Sequence, residues 1–291
     1  MKITLKKAER GPHTIDIKIF EPKSPVMAVQ VMHGMAEHME RYDEFNTWLA
    51  LNDIYVITHN HRGHGENAQT LGHFEDFNDL IDDALVVKSY IPEGMKTFIL
   101  GHSMGSIVAR RLLERNVYDG GIIIGTGNKD SVADFFSSAF LHMMAKIAPS
   151  RRSPFIQGMA FDPYDKKFKG DHKNRWLSQD EENVIRYNED PYAGHLMSIK
   201  AFSETMKHVS ESMRHENLKH YNSSVPILLI GGKRDPFSNM GRDIRHLSKV
   251  LIRYTDSVTV QLYDDSRHEV LNEKNRVQVY NKLLEWVMDH V

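Results

Sequence analysis

The run Thr97–Asn116, TFILGHSMGSIVARRLLERN, passes from strand to turn to helix without interruption. Thr97 to Leu100 is a short apolar segment of the kind that forms a buried strand, and Gly101 ends it. From Met104 onward the apolar residues Ile107, Val108, Leu112 and Leu113 recur at helical spacing. Between strand and helix stands Gly101-His102-Ser103-Met104-Gly105, the pattern G-x-S-x-G. The pattern alone carries little, but directly after a buried strand and before a helix it describes a serine at the apex of a strained turn. Such a turn requires glycine two residues before and after the serine, because a Cβ at either place collides with the neighbouring helix and strand. The plainer alternative is a strand exit followed by an N-cap serine.

Outward from this turn the chain alternates. Apolar strand segments are expected at 26–32 (VMAVQVM), 54–59 (IYVITH), 120–127 (GGIIIGTG), 225–232 (VPILLIGG) and 258–263 (VTVQLY). Helices are expected at about 42–51, 78–90, 104–116, 240–253 and 274–290, with an alternating edge strand at Thr14–Phe20. Strands that are apolar throughout, separated by helices, indicate an α/β fold with a mostly parallel sheet covered on both faces. From 128 to about 200 the pattern changes to Met-rich and aromatic helical stretches and then a Pro-broken, charged segment without a buried strand. We read 1–127 together with 201–291 as the core, and 128–200 as a helical insertion over the strand ends.

Composition narrows the function. The 291 residues are 41% hydrophobic and 26% charged, which is ordinary for a globular chain. Lys plus Arg number 37 against 39 Asp plus Glu, so no basic surplus is available to neutralise nucleic-acid phosphates. Cysteine is absent, which excludes disulfides, thiolate nucleophiles and Cys-ligated metals. Charge interrupts the N-terminus before an apolar leader could form and no long apolar run follows, so a cytoplasmic location is expected.

A serine hydroxyl needs a base to become nucleophilic, and the base needs a carboxylate to hold its tautomer. Asp235 lies just beyond the strand at 225–232, and His268 lies in the loop after 258–263, at the sheet edge that also carries Ser103. Asp264 and Asp265 are rival acids, but their closeness to His268 in sequence suits shaping its loop. Two backbone donors must receive the oxyanion of acyl transfer, and Met104 and Met35 are the candidates.

Four blocks now bear comparison with known sequences: HGMAEHMERY at 33–42, HNHRGHGE at 59–66, GHSMGS at 101–106, and GGKRDP at 231–236 with SRHEVLNE at 266–273. With them the chain resembles the α/β-hydrolase superfamily, and within it the monoacylglycerol lipase and lysophospholipase-like group of serine aminopeptidase-like, S33-type hydrolases. WLSQD and YNEDPYAG, between 176 and 194, resemble a segment of that group's cap. The resemblance implies nucleophile Ser103, acid Asp235, base His268 and oxyanion donors Met35 and Met104, with no cofactor. The chain departs from the group at His61, where Asp usually precedes R-G-H-G, and at Glu66-Asn67, which leaves the local hydrogen bonding of that loop open.

The H-x-H spacing at His59-Asn60-His61-Arg62-Gly63-His64 also suggests a dinuclear zinc loop. That reading fails at Gly63, where the second metal would need a carboxylate, so we assign no metal there. The leading expectation is hydrolysis of carboxylic esters, with a monoacyl lipid or medium-chain ester held by Phe135, Phe136, Leu141, Met143 and Met144 of the insertion. The same residues could equally form the insertion's own core. Transient lipid contact through the cap is compatible with this composition. An aminopeptidase is the alternative, with Glu37, Glu182 or Glu189 receiving the substrate amine; a non-hydrolytic binding protein on the same fold is the more distant one.

Overall fold

A computed structural model describes residues 1–128 and 138–291. In chain order the strands are β1 (Lys2–Arg10), β2 (His13–Glu21), β3 (Met27–Met32), β4 (Ile54–His59), β5 (Thr97–His102), β6 (Gly120–Ile124), β7 (Ile227–Gly232) and β8 (Val258–Tyr263). The helices are α1 (Asp43–Leu51), α2 (Phe77–Lys88), α3 (Met104–Leu113), α4 (Ser138–Ile147), α5 (Pro154–Asp165), α6 (Glu181–Glu189), α7 (Ile199–Glu211), α8 (His215–Leu218), α9 (Arg242–Leu251) and α10 (Arg276–Met288). The eight strands among the described residues form one sheet in the order β1-β2-β4-β3-β5-β6-β7-β8. β1, β2 and β4 pair antiparallel, and every pair from β4 to β8 is parallel.

Every residue of β3 through β7 is buried, as continuous apolar strands in a doubly covered sheet must be. Along β5 the side chains alternate. Ile99 joins a cluster with Phe77, Leu80, Ile107 and Leu112 of α2 and α3, whereas Phe98 and Leu100 join Phe45, Leu49, Val279 and Leu283 of α1 and α10 on the other face. Only β1 is widely exposed, and its lysines at positions 2, 6 and 7 keep that edge from recruiting another chain.

Chain direction across the sheet reverses between β3 and β5: from β3 the chain moves to β4, and from β5 it moves to β6. The loops after β3 and β5 therefore diverge, leaving a crevice at the carboxyl ends of the strands. Ser103 sits at that point on β5, with Met35 after β3, Asp235 after β7 and His268 after β8 at the same edge. The turn needs both glycines. A Cβ on Gly101 would lie 2.1 Å from the Gly105 carbonyl oxygen, and one on Gly105 would lie 2.4 Å from that of Met32.

Between β6 and β7 the described residues form helices and a single bridge, Arg152 to Ser198, but no strand. The boundary drawn near 200 falls in the first turn of α7, so that helix is continuous from the insertion towards the core. Phe135 and Phe136 lie outside the described residues. No helix among the described residues is long and apolar enough to cross a membrane.

Because the Gly101 constraint is steric and involves backbone, Gly101→Ala should lower unfolding free energy by more than about 3 kcal/mol. Ester turnover should fall at least a hundredfold even under folded conditions. Denaturant unfolding and a chromogenic ester check both; near-native values for both would mean that β5 and α3 can part without cost.

Candidate active site

Ser103 holds φ +53° and ψ −118°, a backbone state that non-glycine residues rarely adopt. Its N–H donates to Ile124 O at 3.0 Å, and its carbonyl receives the Ser106 hydroxyl and amide, so both sides of the strained residue are tied down. The helix that follows directs its first free N–H groups, starting at Met104, to the same place.

His268 is buried, and its Nδ1 meets Asp235 Oδ2 at 3.1 Å. Asp235 is fully buried, and its other oxygen accepts the Phe237 N–H at 2.8 Å. The loops after β7 and β8 pass so close that a Cβ on Gly232 would stand 2.1 Å from Ser266 O. Of the rival acids, Asp264 turns outward to pair with Lys233 and Asp265 is exposed, whereas Asp235 faces His268. Around His268 the rings of Trp176 and His102 lie 4.8 Å away and that of Phe237 5.0 Å away, centroid to centroid.

Ser103, Met104, Met35 and His268 all line one cavity at the carboxyl ends of the strands. Its apolar wall is made by Phe161, Trp176, Leu177, Phe202, Met206 and Val209. The expected lining residues Leu141, Met143 and Met144 are elsewhere. Leu141 is buried in the core cluster, Met144 packs against that cluster, and Met143 is half exposed to solvent. α4 lies against α7, and α5 and α7 provide the inner wall where the aromatic pattern of α4 had suggested a pocket.

A network unforeseen as such binds the loops together. Glu37 Oε1 receives the Gly34 N–H at 2.5 Å and the Tyr42 hydroxyl at 2.7 Å, and lies 3.2 Å from His102 Nδ1. His102 Nε2 reaches the carbonyl of His268 at 3.3 Å. Arg41 joins Glu37 at 3.1 Å to Glu269, where it makes two bonds of 2.8 and 2.6 Å. Burial opposes ionisation of Glu37, but His102 and then Arg41 outweigh it and hold the carboxyl well below its usual range. Burial likewise disfavours the charged form of His102, and Glu37 reverses that and raises its pKa. The HGMAEHMERY block held the signal in Glu37, Arg41 and Tyr42, and Glu269 follows His268 directly.

The HNHRGH loop packs beneath this site. Arg62 binds Asp83 at 2.7 and 3.1 Å, and the His61 N–H donates to His33 Nε2 at 3.0 Å. His33, His61 and His64 contact one another at tilted to edge-on angles, with centroids 4.3–6.3 Å apart. Burial pushes all three well below the usual imidazole value, and pushes His59 to about 4. These rings do not converge on a point: among the described residues, the group of three ligand atoms within 4.8 Å is instead Asp76, Glu204 and His208.

The family model described as serine aminopeptidase, S33, matches residues 23–275. The chain belongs to that family. This S33-type chain is 25% identical over 276 residues to the human protein named monoglyceride lipase, covering 91% of this chain and 83% of that one. It is 22% identical over 273 residues to a protein of Mycolicibacterium smegmatis named monoacylglycerol lipase, covering 92% and 90%. A thermostable carboxyl esterase from Bacillus coagulans superposes with a TM-score of 0.92 at 21% identity over the whole of both chains, a likeness of fold. The S33-type chain is thus an α/β-hydrolase, and its enzymatic class is hydrolase.

Arg41→Ala should leave Glu269 buried without its cation and Glu37 with His102 alone, and cost about 3–5 kcal/mol of stability. Arg41→Lys should recover only part, since one ammonium cannot reproduce the fork that spans both carboxylates. Chemical denaturation of the two variants reads this; a loss below 1 kcal/mol for Arg41→Ala would show the network to be dispensable.

Proposed function

We propose that the chain hydrolyses carboxylic esters through an acyl-enzyme at Ser103. The observation that carries this reading is the opening of the strained Ser103 turn and of His268, backed by buried Asp235, into one apolar cavity. In this reading His268 takes the Ser103 proton as Oγ attacks the acyl carbonyl, and Asp235 holds the imidazole tautomer and stabilises the imidazolium. The N–H groups of Met104 and Met35 receive the oxyanion. His268 then protonates the leaving alcohol, water enters by the same general-base route, and Ser103 is regenerated. Each step uses only the chain's own groups and water.

A single acyl chain suits the site. Phe161, Trp176, Leu177, Phe202, Met206 and Val209 offer apolar surface beside the serine, and the names of the human and mycolicibacterial relatives point the same way. Exposed Met143, Ile147 and Phe155 on α4 and α5 favour brief contact between the helical insertion and a lipid surface. A peptidase acting on free amino termini would need an uncommitted carboxylate in the cavity. Glu37 and Glu269 line it, but Arg41 holds both. Glu182 and Glu189 are exposed and are absent from the lining. The ester reading is therefore preferred to the aminopeptidase one, and an intact Ser103, Asp235 and His268 disfavour a purely binding role.

A fluorophosphonate probe should modify Ser103, as located by mass mapping, and Ser103→Ala should lose both labelling and several orders of magnitude of ester turnover. Asp235→Asn should cost far more than Asp264→Asn or Asp265→Asn. Labelling at another residue, or equal losses among the three aspartates, would refute these roles.

For the acyl site, Phe161→Ala and Val209→Ala should lower kcat/KM for p-nitrophenyl decanoate more than for the acetate, by a factor corresponding to about 1–3 kcal/mol. Met143→Ala should leave the ratio unchanged. A flat ratio for both cavity variants would remove the acyl chain from this wall.

A further inference from the structure

Helix α7 has two functional faces. Phe202, Thr205, Met206 and Val209 line the cavity, while Glu204 and His208, one turn apart, meet Asp76 at the start of α2. One ligand atom from each of these three residues lies within 4.8 Å of the other two.

His208 makes this more than a cluster of charges. It is 1% exposed, and neither ring nitrogen has a hydrogen-bond partner among the described residues. Its ring stacks on Phe77, with centroids 4.5 Å and planes 22° apart, so packing fixes where the nitrogens point. Glu211 comes only to 3.6 Å from Nδ1, beyond hydrogen-bond reach. A buried imidazole in this state is costly unless something binds it. Burial, with Arg111 and Lys207 nearby, pushes it down to about 3, so at neutral pH it has a lone pair to offer.

The two carboxylates retain capacity as well. Glu204 is 6% exposed, and its Oε2 has no hydrogen bond; Lys200 holds Oε1 at 3.0 Å and Lys207 stands 3.6 Å from Oε2. Both lysines are partly exposed and can turn to solvent. Arg111 is engaged by Glu114 at 2.8 Å. Asp76 caps α2 through Oδ1, which receives the Asn78 N–H at 2.9 Å.

We propose that Asp76, Glu204 and His208 form a divalent-cation site, suited to zinc, that ties α7 to the first turn of α2. One imidazole and two carboxylates match zinc, whereas calcium and magnesium favour oxygen alone. Ligand atoms on a tetrahedral zinc stand about 3.3 Å apart, so closure from separations within 4.8 Å requires at most about 1.5 Å of adjustment. The exposed Asp76 and the flexible Glu204 can supply it. None of the three lines the cavity, so the cation would take no part in acyl transfer; it would stiffen the helix that forms the cavity's wall.

The test uses untagged, chelator-stripped protein titrated with Zn²⁺ against a chromophoric chelator, with thermal unfolding in parallel. Wild type should take up one equivalent tightly and melt higher. His208→Phe, which keeps the stack on Phe77, and Asp76→Asn, which keeps a good N-cap, should each weaken that equivalent at least tenfold and abolish the thermal shift. His220→Ala, at an exposed position, should retain both. If His208→Phe does not fold, the Asp76→Asn variant decides the matter alone. No stoichiometric uptake by wild type, or equal uptake and equal thermal shift in wild type and Asp76→Asn, would overturn the proposal.

Discussion

The site depends on how closely three backbones approach one another around Gly101 and Gly105. β5 must run directly into α3, and the first turn of α3 must press on the end of β3, with no side chain between them. This closeness forces Ser103 into its unusual backbone state and aligns the start of α3 with the loop that carries Met35. Holding a non-glycine residue there costs on the order of 1–3 kcal/mol. Hydrogen bonds from Ser103 to Ile124 and from Ser106 to Ser103 and Thr126, all within the buried sheet end, offset it. Between β5 and α3 this strain falls on Ser103.

Around that turn, charge rather than apolar packing sets the loop positions. Arg41 lies between two buried carboxylates, one binding the Gly34 amide and the other adjacent in sequence to His268. Buried ion pairs contribute little net stability compared with apolar replacements of the same shape, but they tolerate few arrangements. Here they couple the loop after β3 to the loop after β8 across His102, the neighbour of Ser103. The segment between β6 and β7 adds a second clamp. Glu273 accepts from Ser178 at 2.9 Å and from the Arg267 N–H at 2.7 Å, so the WLSQD segment and the His268 loop share one buried acceptor. Trp176 then rests on His268 itself. The wall of the cavity and the candidate base are in this way parts of one hydrogen-bonded unit.

The histidine loop illustrates how the same residues can be organised by burial. Arg62 is committed to Asp83, and His33, His61 and His64 are held neutral by desolvation and packed against one another with their planes tilted. His61, standing where the resembling group usually has Asp, has no hydrogen-bond partner for either ring nitrogen among the described residues and contributes ring packing. Its backbone N–H, bound to His33, links that loop to the start of the Gly34-Met35 loop.

Several features of this protein were legible in its sequence because they depend on periodicity and local sterics. Continuous apolar strands can be buried only on both faces, which made the parallel sheet readable from VMAVQVM, TFILG and VPILLIGG. The glycines around Ser103 marked the strained turn, and strand ends placed Asp235 and His268 at the same edge. Tertiary structure alone decided which groups meet. Asp235 rather than Asp264 or Asp265 faces His268, because the loops after β7 and β8 cross in contact at Gly232. The cavity wall comes from α5 and α7 and the WLSQD segment instead of from Leu141, Met143 and Met144, because the orientation of an apolar helix in an insertion is set by its neighbours and leaves no trace in its own spacing. The pairing of Glu37 and Arg41 with Glu269, and of Glu204 and His208 with Asp76, joins residues far apart in the chain, and no local pattern encodes a partner that folding alone brings near.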